Sequence, residues 1–493
     1  MKLLLSIIGA VLALWTVIAV ALIPERGSEE KVPLVWTTDG NPQREPQVEW
    51  FNKLYPDCHL RVDPDNSGVM KVVVQSSAGM GPDIIGHIHP NNIQTYVQAG
   101  IVMDITEEAK EMGFGLETLP ETVQPLVQLQ DPETLEYRQY VYPCNVAHDI
   151  IIYNKDIFDK YDVPYLSEDL IWDEYINAAR KLTIYDENEN VPAIFGSANT
   201  PVQVCIWQKG GSLLNEDGTR CLLGEPGAID GMQFRHDLYY KYGIEPTPTQ
   251  EAGVTGQGGW GGGSYYSWFG EGKLSMFFGS RWMLIQLRRF FTEQLESKAA
   301  WEKEHPGKTY SGPTPPRMGA TLVPRFRNGT RYTKFGARCA GINNMSPNRS
   351  EALKFLEYLA GEEYSRLINR GADAKPANKK YISLERFTHP DWPGEREIHE
   401  MAIKTIPYGR VIRKSFFINH QKLWRILEQT DDQLIANPDL TRDDIARLMK
   451  RTAERVDRQI AYNIQRNPVR RKTYERMLDE GAEPIRYELD SIN

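Results

Sequence analysis

The strongest constraint on the fold is an alternation of strand and helix patterns that begins at Pro33. Strand patterns cover Pro33–Thr38, His59–Val62 and Pro82–His87. Apolar residues at helical spacing fill the two intervals between them, at 48–55 and 70–77. Such a β-α-β-α-β run in under 60 residues predicts a parallel sheet with right-handed crossovers. Binding sites in open sheets of this kind lie at the carboxyl ends of the strands, so we expect the loops that follow these strands to line a site.

Further patterns predict a second α/β body. The run His148–Asn154 is too apolar for an exposed edge and predicts a buried central strand. Residues 172–182 have the apolar spacing of an amphipathic helix. Residues 253–263 are rich in glycine, and the stretch Lys273–Ser280 predicts a strand that leads into a helix over 281–296.

The remaining stretches are predicted to be surface and helix. Residues 298–316 are polar and contain proline, which indicates a surface excursion. The C-terminal stretch is helical and highly charged, and Thr441-Arg-Asp-Asp444 matches a capping box. Ile445, Val456 and Ile460 then lie on one apolar face. We interpret this face as packing on the second body, with a coiled coil for a partner as the alternative.

Composition excludes several classes of protein. The chain has 493 residues, of which 41% are hydrophobic and 25% are charged. Two or three domains with large cores are therefore expected, and a disordered or polytopic membrane protein is not. The formal net charge of −9 argues against a nucleic-acid binder, which would normally be basic. The cysteines lack CxxC spacing, which argues against structural zinc; one disulfide stays open, with Cys205 and Cys221 as the nearest pair.

The N-terminus carries a predicted export signal. Residues 3–23 form an apolar run of 21 residues, which as a helix would span about 31 Å and cross a bilayer. Lys2 precedes the run and acidic residues follow it, so the positive-inside rule exports everything after Pro24. Ala19-Val20-Ala21 offers a cleavage site between small residues. A removed signal peptide and a retained membrane anchor therefore both stay open.

Six short motifs follow one another in a recognisable order. They are Trp36-Thr-Thr, Gly79-Met-Gly-Pro-Asp-Ile-Ile85, Asp149-Ile-Ile-Ile-Tyr-Asn-Lys155, Trp172-Asp-Glu-Tyr, Glu271-Gly-Lys-Leu-Ser-Met-Phe-Phe-Gly-Ser-Arg-Trp282 and Ala340-Gly-Ile-Asn-Asn-Met-Ser-Pro347. Each motif alone is unspecific, but the six in this order are specific. Over residues 33–380 the chain resembles the family 1 extracellular solute-binding proteins of ABC importers, the group that includes maltose- and glycerol-3-phosphate-binding proteins.

The resemblance implies a two-lobed α/β fold of the periplasmic-binding-protein type (type II), with an N-terminal transmembrane or signal helix and a helical C-terminal extension. The first lobe would comprise residues 31–145 and 327–374. The second lobe would comprise 146–326 and 375–493, and residues 1–30 would be the signal peptide or membrane anchor. No cofactor is implied.

The resemblance also implies a role in import. A sugar or polyol would be captured between two hinged lobes on the periplasmic or extracellular face of the cytoplasmic membrane and delivered to ABC permease subunits. The chain departs from the family pattern in its anchor, its polar excursion and its long tail after Pro376. Two alternatives therefore stay open. One is an anchored ligand sensor or scaffold protein, and the other is a glycan-processing enzyme with the same fold.

Candidate ligand-binding residues combine aromatic side chains, for the apolar faces of a sugar ring, with polar side chains for its hydroxyl rim. They lie at predicted strand ends and turns: Trp36, Asp39, Asn41, Asn66, Ser67, Asp83, Asn145, Trp207, Trp260, Tyr265, Tyr266, Arg281 and Trp282. Simpler readings stay open for some of them. Trp36 and Trp207 also suit a core, Asp83 suits a turn cap, and Arg281 could pair with Glu271.

Motifs for metal binding and catalysis are missing from the sequence. His87 and His89 form an HxH pair, but no further ligand lies nearby in sequence, so no metal site is predicted. GxSxG, the P-loop pattern and HExxH are absent. We therefore predict no catalytic residues and a protein that is not an enzyme.

Overall fold

The computed structural model describes residues 31–64, 68–131, 133–186, 191–254, 264–384 and 394–487. The strands are β1 (Val32–Thr37), β2 (Cys58–Asp63), β3 (Ile84–Ile88), β4 (Gln128–Gln130), β5 (Tyr137–Gln139), β6 (Tyr142–His148), β7 (Ile150–Asn154), β8 (Met276–Gly279), β9 (Met318–Thr321), β10 (Thr333–Ile342) and β11 (Gly409–Arg410). The predicted signal or anchor segment, residues 3–23, lies outside the described residues. Among those described, no helix is both long enough and apolar enough to span a bilayer.

Eighteen α-helices accompany these strands in the described ranges. They are α1 (Arg44–Leu54), α2 (Val69–Ser77), α3 (Ile93–Gln98), α4 (Thr106–Glu111), α5 (Gln124–Val127), α6 (Lys155–Lys160), α7 (Trp172–Lys181), α8 (Val202–Gln208), α9 (Pro226–Tyr240), α10 (Pro248–Val254), α11 (Ser264–Gly270), α12 (Leu284–Glu304), α13 (Arg349–Ala360), α14 (Glu362–Gly371), α15 (Glu395–Lys404), α16 (His420–Ile435), α17 (Arg442–Arg466) and α18 (Pro468–Asp479).

The predicted β-α-β-α-β unit is confirmed. Strand β1 pairs in parallel with β2 on one side and with β3 on the other. Strand β10 continues the sheet antiparallel to β3, and the long β10 also pairs with β6 and, in parallel, with the short β11. The sheet order is therefore β11-β10-β3-β1-β2, with β6 attached to β10.

A single apolar core surrounds this sheet. It combines buried residues from the stretch 34–146 with buried residues from 335–377, so chain segments two hundred residues apart share one interior. We call the body around this core the first lobe. Burial of apolar area is the main stabilising contribution in folding. The apolar residues that β10 adds to this core therefore contribute to the stability of the first lobe.

The second lobe is built on a smaller sheet of order β8-β7-β9. Its central strand β7 is buried at every position, as its apolar sequence predicts, and both neighbours run antiparallel to it. The helix predicted over 172–182 is present as α7. Helix α12 continues to Glu304, so the stretch predicted as a surface excursion from residue 298 begins with the last turns of a helix.

The C-terminal helices pack on the second lobe. Thr441 and Asp444 form the predicted capping box, in which each side chain accepts a hydrogen bond from the other residue's backbone N–H. Buried residues of α16 and α17 share a core with α8 and α9 of the second lobe. All five cysteines are buried free thiols, so the disulfide left open between Cys205 and Cys221 is absent.

Candidate functional site

A cavity of about 1160 Å³ lies between the two lobes. Helix α3 and residues between 122 and 140 form the wall on the first lobe, and α8 with the turn after it forms the wall on the second lobe. The start of β10, where the chain crosses between the lobes, contributes Lys334 and Phe335. Residues between 409 and 424 supply a third wall, so the C-terminal extension is part of this site.

The cavity wall combines aromatic rings with side-chain amides. The rings belong to Tyr137, Tyr140, Trp207, Phe335, Phe416 and Trp424. The amides belong to Asn91, Gln94, Gln98, Gln128, Gln130 and Gln203. Binding pockets for small polar molecules typically pair apolar and aromatic surface with a few polar groups that fix orientation. This wall has that composition.

Of the predicted site residues that the structure describes, Trp207 alone lines this cavity. Helix α8 places it against the core of the second lobe, where only 3% of its surface is exposed. The Arg410 guanidinium lies 5.5 Å from its ring centroid and 4.8 Å from that of Tyr332. The indole therefore holds an arginine at the cavity wall by a cation–π contact.

Trp36, at the end of β1, is part of the first lobe's core. It is fully buried, and its ring centroid lies 4.7 Å from that of Phe355. The alternation of β1 points this side chain toward the helices that cover the sheet. The structure thus places Trp36 in the interior, in agreement with the simpler of its two readings.

Asp39 and Asn145 belong to a buried charge network at the crossing strands. Asp39 Oδ1 accepts a hydrogen bond from Arg44 Nε at 2.7 Å, and Arg44 Nη1 donates to Asp373 Oδ2 at 2.6 Å. Asn145 Nδ2 donates to the other Asp373 oxygen at 2.8 Å. Arg338 adds a second guanidinium, 3.6 Å from Asp373. Although burial acts to raise it, the charges of Arg338 and Arg44 hold the pKa of Asp39 below its ordinary value.

Two further polar side chains at the crossing have unpartnered atoms. Asn41 accepts a hydrogen bond from the Gln43 N–H, while its Nδ2 has no protein partner. His148 stacks on Phe335 with a centroid distance of 4.5 Å, and neither of its ring nitrogens has a partner. Both side chains are at least 98% buried. Buried polar groups are normally hydrogen-bonded, so these atoms are exceptions, and neither residue is among those that line the cavity.

Arg281 ties the second lobe to the end of α14. Its guanidinium donates to the backbone carbonyls of Ile368, Asn369 and Ala374, and its Nε lies 3.0 Å from His399 Nδ1. Burial, helped by the charge of Arg288, lowers the pKa of Arg281 to about 9. The predicted alternative partner Glu271 instead pairs with Lys273. Arg281 therefore braces the backbone where the chain passes between the lobes.

Four other predicted residues also have protein partners. Asp83 accepts hydrogen bonds from the Val35 N–H and from Ser346 Oγ, at 2.9 and 2.6 Å, so it anchors a turn. Tyr265 donates to Glu251 at 2.6 Å. Tyr266 and Trp282 pack against each other with ring centroids 6.1 Å apart. Asn66, Ser67 and Trp260 lie outside the described residues.

The histidine pair of the HxH motif lies at the end of β3, with His87 in the strand and His89 directly after it. The rings of His87 and His89 meet edge to face at 4.6 Å, and burial together with the neighbouring His87 lowers the pKa of His89 to about 4. Across the described ranges of the chain, no three His, Cys, Asp or Glu side chains are grouped so that they could hold a metal ion.

Sequence reasoning missed most of the cavity wall. Lys334 and Phe335 fall in a strand without a motif, and residues 409–424 fall in a tail that reads as helical. One signal was available: Ile406-Pro-Tyr-Gly409 interrupts the helical pattern of the tail, and proline followed by glycine marks a turn. That break is where the chain turns into β11 and joins the first sheet.

Two lysines near the lobe boundary, Lys375 in the interior and the half-buried Lys414, predict a pH dependence. Burial lowers the pKa of Lys375 and of Lys414 from 10.5 to about 7. Between these two values the unfolded chain binds more protons than the folded protein, so stability rises with pH. We expect each lysine to contribute about 1.4 kcal/mol per pH unit over this window. Urea titrations from pH 7 to 10 should show the rise, and Lys375→Met with Lys414→Met should flatten it. An unchanged slope in the double variant would contradict the assignment.

Comparison with known proteins identifies the family. Residues 36–365, about two thirds of the chain, match the profile of the bacterial extracellular solute-binding protein family. The chain belongs to this family. A binding protein of Brucella abortus (strain 2308) is 23% identical over 261 residues, which are 52% of this chain and 55% of that protein. The chain thus spans about half the length of the curated relatives it matches.

Solved structures show the same fold. An ABC substrate-binding protein from Listeria monocytogenes in complex with cycloalternan has a TM-score of 0.66 at 18% identity, and the match covers 87% of this chain and 99% of that one. UgpB from Mycobacterium tuberculosis in complex with glycerophosphocholine has a TM-score of 0.65 at 12% identity, over 88% and 99% of the two chains. These likenesses establish the two-lobed periplasmic-binding-protein fold.

Proposed function

We propose that this family member binds a sugar or polyol between its two lobes and delivers it unaltered to the permease of an ABC importer. The observation that carries the proposal is the cavity between the lobes, with its wall of aromatic rings and amides. Rings cover the C–H faces of a sugar, and amides both donate to and accept from its hydroxyls. The Listeria and Mycobacterium proteins of the same fold were solved with cycloalternan and glycerophosphocholine, which supports a hydroxylated solute.

The lobe boundaries proposed from the sequence, after residues 145, 326 and 374, would act as the hinge. Backbone hydrogen bonds join Val146 to Lys375 in both directions, at 2.9 and 3.1 Å, so two of the crossing segments move as one. A solute that contacts both lobes only in the closed form shifts the population toward that form.

We propose that the protein works outside the cytoplasm, on the periplasmic or extracellular face of the membrane. The apolar run of residues 3–23 supports export. Cleavage of this run and its retention as an anchor predict different products. Intact-mass measurement of the protein purified after expression of its full sequence distinguishes them, because cleavage after Ala21 removes residues 1–21.

The proposal is tested by finding the solute and following its fate. Native mass spectrometry of freshly purified protein should show an added mass that is released on unfolding and identified as a sugar or polyol. That compound, added back, should raise the melting temperature in a concentration-dependent way. Recovery of the compound unchanged after incubation supports a binding protein, whereas a cleaved or modified product would establish the glycan-processing enzyme instead.

A ring at the cavity rim offers a mutational test. Tyr137 on β5 lines the cavity and is 65% exposed, so its removal should cost little stability. If its ring covers a sugar face, Tyr137→Ala should weaken binding by about 1–3 kcal/mol, measured by calorimetric titration. The matched control is Tyr462→Ala, an exposed tyrosine of α17 away from the cavity, which should leave affinity unchanged. Equal affinities of both variants and wild type would remove Tyr137 from the site.

A further inference from the structure

The charges on the cavity wall are all of one sign. Lys334, Arg410, Arg413 and Lys414 line the cavity, and none of the lining residues is Asp or Glu. The whole chain, by contrast, has a formal net charge of −9. A cleft lined by one sign of charge raises the local concentration of solutes of the opposite sign. The wall therefore favours an anionic guest over a cationic one.

Two of these four cations already have partners within the protein. Lys414 Nζ donates to the backbone carbonyls of Pro125, Leu126 and Gln128. Arg413 lies 3.6 Å from the carboxylate of Glu216. Among the described residues, no carboxylate lies within ion-pair distance of Lys334 or Arg410. These two are the cations left to bind a solute.

The fold sets Lys334 and Arg410 side by side. They are direct partners in the parallel pairing of β10 with β11, so their side chains project from the same face of the sheet. Like charges placed opposite each other on neighbouring strands are destabilising, and among the described residues no carboxylate forms an ion pair with either side chain. Burial raises the pKa of the nearby Asp149, and the charge of Lys334 acts to lower it. Asp149 does not line the cavity.

The Arg410 guanidinium is also held in a fixed position. The ring centroids of Trp207 and Tyr332 lie within 5.5 Å of it, and both rings pack in the core of the second lobe. A planar guanidinium in a fixed orientation can bind two oxygens of a phosphate or carboxylate at once. A neutral sugar offers no such group. The amides of Gln128 and Gln203 remain on the wall for hydroxyls.

We propose that the cavity takes an anionic sugar or polyol whose phosphate or carboxylate group binds Arg410 and Lys334, an inference that rests on the proposed function. The charged group lies at the junction of β10 and β11, and the hydroxylated part extends toward α8 and the first lobe. The C-terminal extension thereby selects the solute, because it supplies the arginine through β11.

Matched probes that differ only in charge test this assignment. Thermal shift and calorimetric titration would compare glucose with glucuronate and glucose 6-phosphate, and glycerol with glycerol 3-phosphate, with inorganic phosphate as the smallest anion. At least one anionic member of a set should bind 10-fold or more tightly than its neutral counterpart. The preference should shrink as salt is raised from 50 to 500 mM, because salt screens the attraction. Comparison of the affinities for glucose 6-phosphate and glucuronate shows whether the site prefers a phosphate or a carboxylate.

Substitutions of Arg410 and Lys334 test whether the anion binds at these two residues. Arg410→Gln and Lys334→Gln should each reduce the affinity for the anionic probe 10-fold or more, and Arg410→Lys should restore only part of it. Lys334 is exposed, so its variant tests the site without loss of fold. Arg289→Gln, on the exposed face of α12, is the control and should change nothing.

The outcomes separate this inference from the proposed function. Tighter binding of the neutral members would overturn the anionic assignment and leave the proposed function standing. Binding of no member of either class, together with no sugar or polyol in the native mass spectrum, would overturn both. Anion binding that survives Arg410→Gln and Lys334→Gln would show that the anion binds elsewhere.

Discussion

Asp373→Asn is expected to destabilise the protein by about 3–5 kcal/mol, because it removes one charge from a balanced buried group. Asp373 is 3% exposed and lies between two guanidiniums, those of Arg44 and Arg338, which it and Asp39 together neutralise. Asparagine keeps the shape but leaves a net positive charge in the interior. The loss should appear as a lower urea midpoint with an unchanged dependence on denaturant concentration.

The matched control for this variant is Asp230→Asn. Asp230 pairs with Arg442 at the surface, where both side chains are about half exposed. Exposed ion pairs contribute about 0–1 kcal/mol, so the control should lie near wild type. A loss below 1 kcal/mol for Asp373→Asn would show that the network is not a stabilising element of the lobe crossing. Asp39 should also lose its contribution in acid, as pH falls below the ordinary Asp value of 3.8, because its pKa in the folded protein lies lower still.

A chain ended after Tyr408 is expected not to fold cooperatively. The deletion removes β11 and helices α16 to α18, whose side chains cover the apolar residues of α8 and α9. Each fully buried Leu, Ile or Met side chain that becomes exposed costs about 1.5–3 kcal/mol. Five such side chains already match the total stability of a typical protein, about 5–15 kcal/mol. The truncated chain should aggregate or lack a sharp thermal transition.

Point variants measure the same core without deleting it. Met449 of α17 is fully buried in the shared core, and Met449→Ala should cost about 2–5 kcal/mol. Tyr462→Ala, on the exposed side of the same helix, should cost under 1 kcal/mol. Cooperative folding of the truncated chain, with a wild-type melting temperature, would contradict the view that the extension completes the second lobe.

The local elements could be predicted because the signals that make them are local. The β-α-β-α-β unit follows from apolar runs and turn residues within a few positions, and β7 from an uninterrupted apolar run. The pairing of β10 with three different strands, β3, β6 and β11, could not be predicted in this way. β11 has two residues, and its Gly409 pairs with Thr333, which lies about 75 positions earlier in the sequence. No periodicity can encode so short and distant a contact.

The site was harder to predict, because polar residues at strand ends serve structure as well as ligands. Asp39 and Asn145 have the residue types of a sugar site, yet Asp39 accepts from Arg44 and Asn145 donates to Asp373, which is 228 residues from Asn145 in sequence. Arg281 has three backbone carbonyls as partners, and carbonyls leave no trace in a sequence pattern. Trp207 lies on the cavity wall because α8 faces the first lobe, and that orientation depends on tertiary packing.

The central claim, that a solute is held between the two lobes, is tested most directly by a crystal structure of the protein with the compound that native mass spectrometry identifies. The account predicts density for that compound in the cavity, in contact with Tyr140 on the first lobe and Gln203 on the second. A compound bound to one lobe alone, or to the outer surface, would contradict it.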